Sequence, residues 1–427
     1  MNLKKLPYQE FIYKRTYSRY LDKEKRREEW NETVDRYKKF FEEDVLDKHD
    51  IHHTLKEDFY KAIEYIREFK VMPSMRCLWT AGEALRRDNI GGYNCSYLPI
   101  NSIKSFADVL YILMNGTGVG FSTERQYVSQ LPEIPEVLVK KKEKVIVFDD
   151  SKLGWAEGFL EFLTLLYDGI IPKWDLSKIR PKGARLKTFG GQASGPEPLE
   201  RLLIFTMKII QKACGRKLNS LECYDVVCMV ANCVVSGGVR RSATINLSNL
   251  SDDRMRHAKE GQFWIDNSQR TLSNNSVAYT EKPEISRFME EWLSLMKSGT
   301  GERGIFNRKA AIKTAPERRK TEDQEFGTNP CGEIVIRPHG FCNLTEVVVR
   351  HEDSLEDLKQ KVKYATILGC LQSTLTDFKF ISKEFKKNCE KERLLGVSLT
   401  GLMDHPVLQG YGLAMVIVTG KYIGYRK

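Results

Sequence analysis

Thr328-Asn329-Pro330-Cys331-Gly332-Glu333-Ile334 is the stretch on which the reading of this chain turns. In an extended loop, residues two apart point to the same side. Asn329, Cys331 and Glu333 are then expected to face one space together, offering an amide, a thiol and a carboxylate in a row. Gly332 lets the backbone come close to a ligand, and Pro330 removes a donor and stiffens the loop. The same residues also describe a surface turn with an incidental cysteine, and taken alone the two readings weigh equally.

The surrounding composition narrows the class. The chain has 427 residues, 41% hydrophobic and 29% charged, which suits a globular protein of two or three ordinary domains or one large barrel with additions. Met1-Asn-Leu-Lys-Lys5 is basic, but Pro7-Tyr-Gln-Glu10 follows where a signal peptide needs an apolar stretch. The apolar run Leu413 to Val418 is too short to span a bilayer. A cytoplasmic location without membrane association is expected. The net charge of +11 favours anionic ligands. Between Lys23 and Asp44 the charges alternate in sign, as on an exposed helix laced with ion pairs. No aromatic-basic cluster marks a nucleic-acid binder, so direct nucleic-acid binding is not expected. The ten cysteines include no Cys-x-x-Cys pair and no cluster with histidine at zinc spacing, so neither a disulfide scaffold nor a metal site is expected. His52-His53 reads as a surface pair at a loop or helix end.

Periodicity predicts helices over Phe59 to Phe69, broken at Pro73, and over Ser105 to Met114, Trp155 to Tyr167, Leu199 to Ala213 with Gly215 as C-cap, Glu284 to Met296, and Leu358 to Phe378. Cys223 to Val235 is an apolar, helix-like run whose three cysteines read as core. Lys140 to Asp150 predicts a strand and turn, and Ala243 to Leu247 a half-buried strand. Gly116 to Gly120 reads as a glycine-rich turn, and Ile179 to Pro198 as a long loop. Gly327 to Val349 reads as a loop followed by two short extended runs, with Pro338-His-Gly between them. Alternating helices and strands point to an α/β architecture with parallel pairing.

Six segments, in order, carry a resemblance. Asn329-Pro-Cys331-Gly-Glu333 resembles the active-site finger loop of ribonucleotide reductases, and Phe341-Cys342-Asn-Leu-Thr-Glu346 resembles that family's second cysteine segment. Gly91-Gly-Tyr-Asn94-Cys95-Ser is similar to the segment carrying the partner cysteine. Asn115-Gly-Thr-Gly118-Val-Gly120-Phe is similar to the glycine turn near the substrate phosphates. The segments from Ile179 to Pro196 and Ser236-Gly-Gly238-Val-Arg240-Arg241-Ser-Ala resemble the monomeric, adenosylcobalamin-dependent triphosphate reductases more than other classes.

The resemblance implies a partial ten-stranded α/β barrel of the ribonucleotide reductase and glycyl-radical type with a helical N-terminal region. It implies reduction of ribonucleoside triphosphates to 2′-deoxyribonucleoside triphosphates for DNA synthesis. Cys331 would carry a thiyl radical, Glu333 would act as general base, and Asn329 would orient the ribose hydroxyls. Cys95 and Cys342 would form the redox-active disulfide, reopened by a thioredoxin-like reductant. Ser74, Asn94, Gly118 and Asn329 would contact substrate. Gly238, Arg240 and Arg241 would belong to the loop linking substrate to a deoxyribonucleoside triphosphate effector. Adenosylcobalamin is the implied cofactor.

By position, residues 1–70 form the helical region and 71–408 an incomplete barrel with its finger loop at 327–349. Residues 123–134 and 143–235 form two effector regions, the second a dimer-mimicking insertion. Family members continue past Gly396 to Pro406, whereas residues 409–427 no longer resemble them. A second fragment carrying the remaining part is therefore an expected partner. Two other readings stand beside this one: an inactive or split fragment that binds nucleotides, and a glycyl-radical enzyme on the same barrel. The Cys95 and Cys342 pair argues against the latter.

Overall fold

The structure, a computed structural model, describes residues 7–48, 52–184, 192–235, 243–320 and 325–409. Helices alternate with mostly parallel strands, the α/β class expected. The chain divides into two units, one of residues 1–93, 343–376 and 393–427, the other of residues 94–342 and 377–392.

The first unit holds the helical N-terminal region. Helices Trp30–Phe41, His53–Arg67 and Leu355–Gln372 pack with a three-stranded sheet in which Leu344–Val348 lies between Gly396–Thr400 and Val71–Met72. Val34, Tyr37, Phe41, Phe59, Ile66 and Leu368 are among its fully buried core side chains, each stabilising the fold by roughly 1.5–3 kcal/mol. The run from Lys23 is not one exposed helix: the helix begins at Trp30, where the Glu32 carboxylate accepts the Glu29 N–H at 2.7 Å. One face is buried, and the ion pairs Lys38–Glu42 and Lys39–Glu43 lie along the other. The next helix stops at Arg67, well before Pro73, because Phe69 turns left-handed (φ +57°) and stacks on Trp30 at 4.6 Å. The helix expected to reach Phe378 ends at Gln372, having started earlier, at a capping box formed by Ser354 and Asp357.

The second unit is built on strands β1 (Cys95–Pro99), β2 (Gly118–Ser122), β3 (Thr244–Asn249), β4 (Ser273–Tyr279) and β5 (Gly304–Asn307), followed by the short β6 (Gly327–Thr328), β7 (Val335–Ile336) and β8 (Gly340–Phe341). The sheet order is β5-β4-β3-β2-β1-β8. The first five strands are parallel and β8 runs antiparallel to β1. Among the described residues the sheet is open at β5 and β8. Strand β3, expected to be half-buried, is buried on both faces, as central strands of parallel sheets are.

Helices α1 (Ile103–Met114), α2 (Lys152–Tyr167), α3 (Glu197–Lys212) and α4 (Ser220–Val235) match the periodic runs of the sequence. Ser102 and Ser151 cap the first two, accepting N–H groups of Ser105 and Gly154. Helix α1 packs on α2 and α4, and α3 packs on the same two, so the four close into a bundle. Helix α3 is capped at Ala213, and Gly215 (φ +76°) makes the left-handed turn two residues later. The glycine run also differs from expectation. Only Gly116 turns (φ +77°), while Gly118 and Gly120 lie inside β2 for a reason of packing given below.

Candidate active site

Strand register sets two thiols side by side. Gly340 lies opposite Tyr97 and Phe341 opposite Ser96, so the next residue, Cys342, faces Cys95. The Cys342 N–H donates to the Cys95 carbonyl at 2.9 Å. Both side chains are buried, 4% exposed at Cys95 and 1% at Cys342. A side-chain hydrogen bond with Cys95, then burial, and more weakly the charge of Glu333 hold the Cys342 thiol well above the usual range. At neutral pH Cys342 is therefore a protonated thiol beside its partner.

Cys331 sits at the tip of a hairpin. Gly327 pairs with Ile336 and Thr328 with Val335, antiparallel. Between the legs, the Gly332 N–H donates to the Asn329 carbonyl at 3.0 Å, and the Ile334 N–H donates to Asn329 Oδ1 at 2.9 Å. Asn at the first position, Pro at the second and Gly at the fourth are the residues that a tight turn selects. Gly332 is left-handed (φ +87°). The extended run expected from alternation is thus replaced by a turn. Cys331 and Glu333 are exposed, while Asn329 is wholly buried and braces the turn from inside. Its Nδ2 has no hydrogen-bond partner.

The hairpin rests on a floor of glycines. A Cβ at Gly120 would fall 1.8 Å from the Thr328 carbonyl oxygen, and one at Gly327 would fall 2.1 Å from the Tyr97 ring. A Cβ at Gly118 would meet Pro330 Cγ at 3.0 Å and Cys95 Sγ at 3.5 Å. Pro330, the neighbour of Cys331, and the Cys95 thiol therefore both border the space over Gly118. This close approach is why two glycines stand inside a strand. Asn94, half-buried, accepts the Gly118 N–H at 2.9 Å.

The residues that hold the hairpin were not singled out by sequence reasoning. Arg308 forms a bidentate pair with Glu124 at 2.8 and 2.6 Å, and its Nε donates to the Phe326 carbonyl at 2.7 Å. Arg319 pairs with Glu392 and donates to the Val335 carbonyl at 2.9 Å. The sequence signal was no more than a charged residue just past a strand end, at Glu124 and at Arg308, 184 positions apart.

Of the other expected residues, Ser74 lies in the first unit. It is buried, caps helix Met75–Thr80 and donates to the Gly92 carbonyl at 3.2 Å. Gly238, Arg240 and Arg241 lie outside the described residues. Cys223, Cys228 and Cys233 are buried in α4 as expected. His52 caps the helix that starts at His53. Among the described residues no group of three or more His, Cys, Asp or Glu is placed to hold a metal ion, and no helix is long and apolar enough to cross a membrane. Elsewhere in the second unit, a cavity of about 480 Å³ is lined by Arg125, Lys217 and Arg254 together with Thr123, Ser129 and Ser220.

Known proteins resemble this chain in sequence and fold. Residues 4–83 match the family model described as the ribonucleotide reductase alpha domain, and residues 140–210 match the B12-dependent ribonucleotide reductase insertion domain. An adenosylcobalamin-dependent ribonucleoside-triphosphate reductase of Lactobacillus gasseri is 27% identical over 96% of this chain and 64% of its own length. The enzyme of the same name from Levilactobacillus brevis is 28% identical over 92% of this chain and 60% of its own length. The chain thus spans a little under two thirds of the curated relatives it matches. A crystal structure of a B12-dependent (class II) ribonucleotide reductase superposes with a TM-score of 0.76 at 24% identity, covering 92% of this chain and 62% of that one. An alpha-domain match at the N-terminus, a B12-dependent insertion-domain match in the middle, relatives similar over more than nine tenths of this chain and a fold shared with a class II enzyme agree: the chain is similar along most of its length to B12-dependent ribonucleotide reductases.

Proposed function

We propose that this chain carries the thiol chemistry of ribonucleotide reduction, converting ribonucleoside triphosphates to 2′-deoxyribonucleoside triphosphates by a thiyl-radical route. The observation that carries the reading is that the buried Cys95 thiol, hydrogen-bonded to that of Cys342, borders the same space over Gly118 as Pro330 of the turn that bears Cys331. A sulfur radical on Cys331 takes the 3′ hydrogen of the ribose, a reversible step because the S–H and activated C–H bonds are similar in strength. Glu333 accepts the 3′-hydroxyl proton as general base. The buried Nδ2 of Asn329, lacking a protein partner, is the donor that orients the hydroxyls. The 2′ hydroxyl leaves as water. Cys95 and Cys342 supply two electrons and two protons and end as a disulfide, Glu333 returns its proton to the 3′ oxygen, and Cys331 returns its hydrogen to C3′, which restores the sulfur radical. A thioredoxin-like dithiol reopens the disulfide by exchange.

Ser74, Asn94 and Gly118 are assigned to substrate binding, and Gly238, Arg240 and Arg241 to the loop that senses a deoxyribonucleoside triphosphate effector. The cavity supports an effector site, because it joins Thr123, Arg125 and Ser129 of the 123–134 region to Lys217 and Ser220 of the 143–235 region. Arg125, Lys217 and Arg254, with the α4 N-terminus, supply donors for a polyphosphate and outnumber the carboxylates of Asp252 and Asp253 in the same lining. Adenosylcobalamin, named for the relatives, is the proposed cofactor. The fit rests on the tip of the hairpin, where Cys331 is exposed and a Cβ at Gly332 would meet nothing within 4 Å, which leaves that side open to a large group. Bound there, the cofactor supplies the radical chemistry that this chain's own residues lack. A second polypeptide with the rest of the relatives' length completes the partners.

The test is turnover by the purified chain with adenosylcobalamin, a ribonucleoside triphosphate and a dithiol, with and without a fragment covering the remaining length of a relative. Deoxynucleotide formed only with the fragment, and lost in Cys331→Ser, is the expected result. Deoxynucleotide binding without product under every combination would replace this reading with that of a nucleotide-binding fragment. Efficient product from the chain alone would remove the need for a second polypeptide.

A further inference from the structure

We infer that Arg308, held by Glu124, is a positioning residue that fixes the hairpin bearing Cys331 at its working height over β1 and β2. The inference rests on the proposed thiol chemistry of Cys331. The hairpin stem is only two residue pairs long, Gly327 with Ile336 and Thr328 with Val335, and a ladder that short has little stability of its own. Something else must hold it. Arg308 Nε donates to the carbonyl of Phe326, the residue immediately before the stem, at 2.7 Å. Both remaining guanidinium nitrogens are taken by Glu124, which is fully buried and also accepts the Ser122 hydroxyl at 2.8 Å from the end of β2. The guanidinium is thus an anchored fork. Two prongs are fixed to the strand that forms the floor, and the third grips the first leg of the hairpin. Arg319, fixed by Glu392, grips the carbonyl of Val335 on the second leg.

A buried ion pair is a costly way to gain stability, because desolvation consumes most of the attraction. What it supplies better than an apolar contact is direction. A planar donor set with each of its three nitrogens bonded leaves the Phe326 carbonyl a narrow range of positions. Cys331 lies five residues beyond that carbonyl, and between them the only freedom is the turn that Asn329 already closes.

The experiment is amide hydrogen exchange on the purified chain, comparing wild type with Arg308→Met and with the double variant Arg308→Met/Glu124→Gln, which leaves no unpaired buried charge. The expected result is local. The Gly332 and Ile334 amides exchange on the order of tenfold to a hundredfold faster, as loss of a charge-assisted hydrogen bond implies, while amides of β3 and β4 keep their protection. Arg308→Lys, which keeps the charge but not the fork, is expected to fall between. Unchanged exchange at Gly332 and Ile334 in the folded double variant would overturn the inference. So would an equal loss across the whole sheet, or failure of the double variant to fold, since either makes the pair a general support of the core. None of these readings needs turnover, so failure of the proposed reaction and failure of this inference are separable.

Discussion

Replacing Gly120 with alanine adds one methyl group at the most crowded point beneath the hairpin. The new Cβ would lie 1.8 Å from the Thr328 carbonyl oxygen and 3.4 Å from Ile245 Cγ2. A carbon and a carbonyl oxygen approach to about 3.3 Å at closest, so one partner must move by about 1.5 Å. Strand β2 is hydrogen-bonded on both sides, to β1 and to β3, and is the less able to yield. The two-pair stem gives way instead and carries the turn at Asn329 to Gly332 with it. Gly120 does not have the positive φ that would itself penalise alanine, so the clash is the whole perturbation. Overpacking of this kind costs about 1–3 kcal/mol, and a displacement near 1 Å at a reacting group costs about a hundredfold in rate. Urea unfolding and the rate of iodoacetamide modification at Cys331 measure the two effects. Gly118→Ala, whose Cβ meets the movable Pro330 ring at 3.0 Å, is expected to cost less. An unfolding free energy for Gly120→Ala within about 0.5 kcal/mol of wild type, with unchanged modification of Cys331, would refute the seating of the hairpin on β2.

Three further outcomes are expected. A mild thiol oxidant should join Cys95 to Cys342 in the folded chain, seen by peptide mass; Cys95→Ser or Cys342→Ser should abolish the bond and Cys331→Ser should keep it. The charge of Glu333 contributes, least of the causes, to the raised position of Cys342, so Glu333→Gln should move the onset of Cys342 alkylation slightly to lower pH, and a higher onset would contradict that influence. Burial, partly offset by Glu384, pushes His339 down from its ordinary value to about 4. The unfolded chain then binds a proton that the folded chain refuses, so the stability present above about pH 6.5 is lost as the pH falls toward 4, by up to about 3 kcal/mol. His339→Asn, which tolerates the left-handed backbone there (φ +55°), should flatten that dependence in denaturation measured at pH 7 and pH 5.

The legible part of the fold was whatever local pattern controls. The helices over 103–114, 152–167, 197–212 and 285–298 follow from apolar spacing, although only the second and third bury one stripe: 103–114 is buried nearly all round and 285–298 leaves most of its apolar side chains exposed. Cys95, Cys331 and Cys342 were legible as a set, but only through resemblance; nothing in their spacing says that strand register would bring Cys95 opposite Cys342. The misreadings share a cause. Gly118 and Gly120 read as a turn because glycine's usual local meaning is conformational, whereas here it is steric and the crowding atom is more than 200 residues away. Asn329, Cys331 and Glu333 read as facing one space from an extended loop, with a turn as the equal alternative, and the turn preference of Asn-Pro-x-Gly decides for the turn. Arg308 and Glu124 were invisible, since a buried ion pair leaves no periodic trace in sequence.

The place of Cys95 and Cys342 in the sheet has a consequence for chain entropy. They meet where the parallel strands give way to an antiparallel neighbour, and about 250 residues separate them along the chain. Joining them ties the unfolded polypeptide into one very large ring. In the loop-entropy account, a ring of that size lowers the disorder of the unfolded state enough to raise stability by about 5 kcal/mol. Each change of redox state at this pair is then also a change in heat resistance of the second unit. A melting temperature would therefore report, without any probe or label, how much of a preparation stands with its thiols spent.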